Sequence, residues 1–269
     1  MHRRDALKLL GGLAACPFCA GSAFADAHWS YEGSDGPEKW GELDPANRVC
    51  SVGSQQSPID IRDTIRAQLA PLKITWDKSC ETIVNNGHTI QLNMGQTSVL
   101  EYGNANYRLV QFHFHHPSEH RIGGKSFAME VHFVHANAGG SLAVIGALMS
   151  AGRANPVFNK IVSTMPEKEG PPVKADPAIN PNGLLPAARS YYRYSGSLTT
   201  PPCSETVDWL LLMDSIQVAD ADIARFAKLY PMNARPVQKA NRRFVLRSAY
   251  GPPVSLVSRF RNSFHRAAS

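Results

Sequence analysis

The feature that most constrains this chain is an alternating run of polar and aromatic residues at 111–115. The run reads Gln-Phe-His-Phe-His. Along a β-strand, successive side chains point to opposite faces. His113 and His115 would therefore share one face, while the two intervening phenylalanines occupy the other. The pattern predicts a strand that packs an aromatic face against a core and presents two imidazoles on its other face.

A second alternating segment, 127–135, carries Glu130 and His132 on one face. Two imidazoles about 7 Å apart, from a rise of roughly 3.3 Å per residue, can lean onto one metal ion, and a neighbouring strand could supply a third. Three imidazoles with an open fourth position are typical of catalytic zinc. A lone His-x-His pair is more often structural, so periodicity alone leaves both interpretations open.

Short strand-like segments separated by Gly and Asn predict the fold class. Most of them follow one another too closely for βαβ crossovers, so we expect a mainly β single domain with a largely antiparallel sheet and a few short helices. The predicted strands are 72–76, 83–85, 89–92, 98–102, 107–115, 127–135, 142–149 and 209–213. The predicted helices are 155–165 and 220–229, and the segments 28–60 and 166–186 are predicted to be irregular.

The N-terminus has the features of an export signal. Arg3 and Arg4 precede an apolar run that ends in Ala-Phe-Ala at 23–25, a small-residue cleavage pattern. The paired arginines resemble a twin-arginine signal; an ordinary secretory signal and lipid anchoring at Cys16 are the alternatives. We therefore predict an export signal over 1–25, a periplasmic location, a domain over 26–248, and a mobile basic extension over 249–269.

Charge and cysteine content limit the possible partners. The net charge is +6, and no basic run is interleaved with aromatics, so nothing indicates nucleic acid binding. No internal apolar stretch is long enough to cross a membrane. Beyond the signal lie Cys50, Cys80 and Cys203, of which two would pair in an oxidising compartment, although spacing does not say which.

Eight segments, taken together and in order, resemble the α-class carbonic anhydrases in their bacterial form. The likeness extends over about 28–248, and it implies a central twisted, mostly antiparallel sheet of about ten strands. The segments are 29–31, 56–61, 85–88, 111–115, 118–120, 130–135, 196–202 and 233–236.

The resemblance implies that His113, His115 and His132 bind Zn²⁺ and that zinc-bound hydroxide hydrates CO2 reversibly to bicarbonate and a proton. The implied partner is this small molecule, on a monomer or homodimer. Alternatives are a zinc hydrolase with esterase activity, an inactive carbonic-anhydrase-like binding module, and a zinc carrier. The presence of all three ligand histidines, together with Thr199 and Glu119, argues against a module that has lost its metal.

Further roles are also implied by the resemblance. Thr199 would accept the proton of the zinc hydroxide and donate its own to Glu119, while His88 would shuttle protons to solvent. The partners that fix the ligand imidazoles would be the Gln111 side chain for His113, the Asn233 backbone for His115 and the Glu130 carboxylate for His132.

The resemblance also implies a substrate pocket and a disulfide. Cys50 would pair with Cys203, leaving Cys80 as a buried thiol. Three additional histidines lie near the site, and His135 is predicted to face away from His132 because the two are three residues apart. The pocket residues would be Val134, Val144, Leu198, Thr200, Val207 and Trp209, and the additional histidines are His116, His120 and His135.

Overall fold

A computed structural model describes residues 28–249 of the chain. The predicted export signal, including Cys16, and the extension beyond Ala249 lie outside the described residues. Between 28 and 249, none of the helices has the length and apolar character needed to cross a membrane.

Most of the regular structure in this range is β-strand. The strands are β1 (Asp60–Ile61), β2 (Ile65–Ala67), β3 (Lys73–Thr75), β4 (Thr82–Asn85), β5 (Ile90–Asn93), β6 (Val99–Tyr102), β7 (Ala105–His115), β8 (Arg121–Ile122), β9 (Met129–Ala136), β10 (Leu142–Ala151), β11 (Val173–Lys174), β12 (Tyr191–Gly196), β13 (Val207–Leu212), β14 (Ile216–Val218) and β15 (Leu246–Ser248). The helices are α1 (Trp40–Leu43), α2 (Val49–Val52), α3 (Pro156–Thr164) and α4 (Asp220–Ala227), with 3-10 turns at Gly33–Asp35, Pro45–Asn47 and Pro181–Leu184.

Thirteen of the described strands form one mixed sheet. Its main path is β11-β4-β5-β7-β9-β10-β13-β12-β15-β2, with β14 beside β10, β6 beside β7 and β3 beside β6. Most pairs are antiparallel; the exceptions are β10 with β13, β10 with β14 and β15 with β2. The prediction of a mainly β fold around one large, mostly antiparallel sheet is confirmed.

The aromatic face of β7 lies in the larger hydrophobic core. Phe112 pairs in register with Phe133 of β9, and both are fully buried. Helices α3 and α4 contribute Phe158 and Phe226 to the same core. Asn155 begins α3 by accepting hydrogen bonds from two backbone N–H groups of its first turn, which contains a proline. The core therefore fixes which face of β7 carries the histidines.

His135 lies on the core side of β9, as its three-residue offset from His132 predicts. It is fully buried, and its Nδ1 lies 3.2 Å from the Ala143 carbonyl oxygen. Burial lowers the pKa of its imidazole to about 3. The ring is therefore neutral at ordinary pH and belongs to the core.

The disulfide joins the N-terminal segment to the loop before β13. Cys50 in α2 is bonded to Cys203, and the two residues are 153 positions apart. They pack with Trp40 in a small third hydrophobic cluster. Cys80 is a buried free thiol whose pKa is raised to about 12 by burial. The segment 28–60, predicted to be irregular, contains α1, α2 and two 3-10 turns.

Candidate metal centre

Three histidines from two adjacent strands converge at the middle of the sheet. His113 and His115 lie on β7, and His132 lies on β9 directly opposite His113. One ring nitrogen from each lies within 4.8 Å of those of the other two. His115 and His132 are buried, and His113 is partly buried. The three histidines therefore converge as a metal site requires, a question that the sequence periodicity left open.

The other ring nitrogen of each histidine faces an oxygen acceptor. These distances are 2.9 Å from His113 Nδ1 to Gln111 Oε1, 2.8 Å from His115 Nδ1 to the Asn233 carbonyl oxygen, and 2.8 Å from His132 Nε2 to Glu130 Oε1. Since each acceptor assigns the ring proton to the nitrogen it faces, a lone pair is left on the inward nitrogen. His115 Nε2 is buried with no hydrogen-bond partner.

Burial keeps these imidazoles neutral. It lowers the pKa of His115 to about 4 and holds the pKa of His113 well below its usual range, with the neighbouring ligand rings adding to the effect at His113. The pKa of His132 is also lowered by burial, although Glu130 opposes the shift. Neutral imidazole is the form that binds a metal ion.

A buried network extends behind His132 through Glu130, whose contact with His132 was predicted, to His120 and Tyr194, whose contacts were not. Glu130 accepts from the His120 backbone N–H at 2.8 Å and lies 2.7 Å from His120 Nδ1. His120 Nε2 lies 2.6 Å from the Tyr194 hydroxyl, which donates to Ser57 Oγ at 3.0 Å. The sequence signal for the role of His120 was its position directly after Glu119. His120 lies in a turn, where side chains follow no periodic pattern.

Glu130 is the charged centre of this network. Burial alone would raise its pKa, but the facing His120 and His132 rings and their hydrogen bonds outweigh burial and hold the pKa well below its usual range. His120, Glu130 and His132 also meet the distance requirement for a metal site among the described residues. Their nitrogens and oxygens are hydrogen-bonded to one another, so we assign His120 and Glu130 to the support of His132.

Glu119 and Thr199 lie beside the ligands. Glu119 Oε1 accepts from the Arg235 backbone N–H at 2.8 Å. Burial raises the pKa of Glu119 to about 7, while His132, the Arg235 N–H and the Thr199 side chain oppose the shift. Glu119 Oε2 is buried and has no hydrogen-bond partner among the described residues.

A cavity of about 230 Å³ opens above the three histidines. Trp29 and Tyr31 also line the cavity. They belong to one of the matching segments of the sequence, but no role was predicted for them. Val207 was predicted to line the pocket; it is buried in the adjoining apolar cluster and is not among the lining residues. The lining residues are Trp29, Tyr31, Asn86, His88, Thr89, Gln91, Gln111, His113, His115, His132, Val134, Val144, Leu198, Thr199, Thr200, Pro201 and Trp209.

His88 lies at the cavity rim on a tight turn. Asn86 Oδ1 accepts from the backbone N–H of His88 at 3.0 Å, and Gly87 has a φ of +84°, a conformation that favours glycine. The His88 ring stacks on Trp29 with centroids 3.7 Å apart. Burial lowers its pKa, as does the nearby His28, while Glu169 opposes the shift.

Comparisons with known proteins agree with this geometry. Residues 35–249 match the family model described as eukaryotic-type carbonic anhydrase. A carbonic anhydrase from Nostoc sp. is 39% identical over 258 residues, which cover 91% of this chain and 97% of that protein. The α-carbonic anhydrase of Thermovibrio ammonificans, solved with the inhibitor sulfanilamide, is 43% identical and superposes with a TM-score of 0.80, covering 82% of this chain and 99% of that one. Dioscorin complexed with ascorbate is 31% identical, with a TM-score of 0.76 and coverage of 82% and 97%.

Proposed function

Because this chain belongs to the eukaryotic-type carbonic anhydrase family, we propose that it hydrates CO2 reversibly to bicarbonate and a proton at a zinc ion. The observation that carries the proposal is the convergence of His113, His115 and His132 at the base of the cavity. The inward nitrogen of His115 is buried and unpartnered, which is costly unless a cation binds there. Three imidazole donors suit zinc.

The residues behind the ligands hold the site in its metal-binding state. When bound, zinc would act as a Lewis acid that lowers the pKa of water and so provides a nucleophile near neutral pH. Gln111, the Asn233 carbonyl and Glu130 orient the three rings and keep a lone pair on each inward nitrogen. His120 in turn fixes Glu130 through two hydrogen bonds.

Thr199 and Glu119 give the reaction a direction. A Thr hydroxyl has one proton to donate and two acceptor sites. When Glu119 is ionised, the Thr199 proton is committed to the carboxylate, and the hydroxyl can only accept from the attacking water species. A divalent cation held beside Glu119 favours the ionised carboxylate. Thr199 therefore orients the nucleophile toward the substrate.

The substrate side of the cavity is apolar. Val134, Val144, Leu198 and Trp209 form a wall that suits CO2, which has no net charge and no hydrogen-bond donor. Thr200 adds a hydroxyl at the same wall. His88, at the rim, accepts the proton that hydration releases and passes it to solvent buffer.

The proposal includes export to the periplasm. The Cys50–Cys203 disulfide supports it, because structural disulfides persist in oxidising compartments. The twin-arginine route, with lipid anchoring at Cys16 as the minor alternative, follows from the sequence of residues 1–25. Mass spectrometry of the mature N-terminus distinguishes cleavage after Ala25 from lipid anchoring at Cys16.

The proposed reaction is tested by measuring zinc content and CO2 hydration on the same purified protein. We expect one zinc per chain and hydration that follows the zinc content, measured by stopped flow with a pH indicator. Hydrolysis of an activated ester without CO2 hydration would favour the zinc hydrolase. Absence of both activities in the zinc-loaded protein would favour a binding module and reject the proposal.

Replacement of Thr199 by Val is expected to lower kcat/KM for CO2 hydration by about 100-fold, the usual cost of losing one oriented hydrogen-bonding group in an active site. The side chains have nearly the same shape, so zinc content should be unchanged. Thr200→Val is the matched control on the next residue, and we expect a smaller loss from it. Equal losses in the two variants would contradict the orienting role of Thr199.

A further inference from the structure

A carboxylate outside the metal centre lies against the turn that carries His88. Glu169 is placed so that a Cβ on Gly87 would lie 2.9 Å from its Oε2 and 3.3 Å from its Oε1. Both carboxylate oxygens therefore cover the residue directly before His88. The close approach is possible because Gly87 has no side chain.

Backbone hydrogen bonds of the fold hold the loop that carries Glu169 against the His88 turn. The backbone N–H of Gly170 donates to the Asn85 carbonyl at 3.1 Å, and Asn85 Nδ2 donates to the Pro166 carbonyl at 3.1 Å. The Tyr230 hydroxyl donates to Asn85 Oδ1. The loop after α3 is thus bonded on both sides of Glu169 to the end of β4, where the His88 turn begins.

Within residues 28–249, the titratable groups that act on or contact the His88 turn are His28, Glu169 and Tyr230. His28, on the N-terminal segment, acts against protonation of His88, whereas Glu169 favours it. Tyr230 lies behind the turn, and burial raises its pKa to about 12, so it is neutral at ordinary pH. Trp29 stacks on the ring but carries no charge. Glu169 is therefore the negative group among those facing His88.

We propose that Glu169 is a positioning residue for proton transfer, stabilising the His88 imidazolium that forms when the proton from CO2 hydration leaves the site. The inference rests on the proposed function and deepens it. The step transfers one proton: an N–H bond forms on the His88 imidazole as the proton leaves the hydration site, and it breaks when solvent buffer accepts the proton, while the Glu169 carboxylate takes no part in this bonding.

Neutralising Glu169 should slow the transfer of the proton from the site to solvent and leave the binding and conversion of CO2 unchanged. The imidazolium loses a favourable Coulomb interaction, so we expect kcat for hydration in weak buffer to fall about threefold. The value of kcat/KM should not change, because it reports steps up to CO2 conversion and not proton release. Added imidazole buffer should restore kcat, because it replaces His88 as the proton acceptor.

The test compares Glu169→Gln with Glu167→Gln in the zinc-loaded protein. Glu167 lies two residues earlier on the same exposed loop and is not among the groups that shift the pKa of His88, so Glu167→Gln removes the same charge from the loop as a control. NMR titration of the His88 ring should give a lower pKa in Glu169→Gln and the wild-type pKa in Glu167→Gln. In a His88→Ala background, Glu169→Gln should have no further effect on kcat.

Two results would overturn the inference: an unchanged His88 pKa in Glu169→Gln, or equal falls of kcat and kcat/KM, which indicate a structural role. Failure of the proposed function is a separate observation, because wild-type protein would then hydrate no CO2. The His88 titration does not depend on that activity, so it still tests whether Glu169 stabilises the imidazolium.

Discussion

Substituting His132 with Gln is expected to weaken zinc affinity by more than about 100-fold and to reduce CO2 hydration in proportion. Loss of an outer hydrogen-bond partner alone typically costs 10–100-fold, and His132 is itself a donor in the proposed site. Only two imidazoles would remain, and the inward His115 Nε2 would stay buried without a partner. Zinc content by mass spectrometry and stopped-flow CO2 hydration check the expectation together.

The matched control is His116→Gln. His116 adjoins the ligand His115, but its Nδ1 lies 2.9 Å from the Pro231 carbonyl oxygen, and it is outside the metal-binding cluster. We expect zinc content and rate near those of the wild type in this variant. If His132→Gln kept full zinc and the wild-type rate, the three-histidine site would be rejected and the reaction would have to occur elsewhere.

Removing the disulfide with the double substitution Cys50→Ser and Cys203→Ser is expected to lower the free energy of unfolding by roughly 4–5 kcal/mol. The bond closes a loop of 153 residues, and the chain-entropy estimate for a loop of this size is in that range, with native strain subtracting from it. Urea denaturation of wild type and double variant, monitored by tryptophan fluorescence, measures the difference.

Two features suggest that the disulfide also supports the site. The Arg235 guanidinium donates to the Cys50 carbonyl at 3.0 Å, and the backbone N–H of the same arginine donates to Glu119. Cys203 lies in the same loop as Thr199, between β12 and β13. A reductant should shift the urea midpoint of the wild type to that of the double variant and leave the variant unchanged. Equal midpoints before reduction would show that the bond contributes no stability.

Alternation was a sufficient signal for the central strands. The predictions at 107–115 and 127–135 correspond to β7 and β9, because alternate residues of each strand, Phe112 and Phe133 among them, enter the larger core. Strand β12 was not among the predicted strands. Its neighbours β13 and β15, which are distant in sequence, decide its place.

Resemblance supplied site residues that periodicity could not. The pairing of Cys50 with Cys203 joins segments far apart in the chain, and cysteine spacing left it open. The acceptor for His115 is a backbone carbonyl, on Asn233, so side-chain chemistry carries no signal for it. His120 was predicted to lie near the site, but its hydrogen-bonding role depends on Tyr194 from another strand, which no local pattern predicts.

The sequence by itself determined the chemistry available: two imidazoles on one strand face, an imidazole and a carboxylate on another, and an aromatic core behind them. These properties follow from a period of two residues, which is local. Only the tertiary structure decided the β7–β9 register that sets His113 opposite His132. It also decided which oxygen atoms accept hydrogen bonds from the three ligand rings, and it placed Glu169 over Gly87. Register and loop placement depend on packing between segments distant along the chain, and no local pattern encodes that packing.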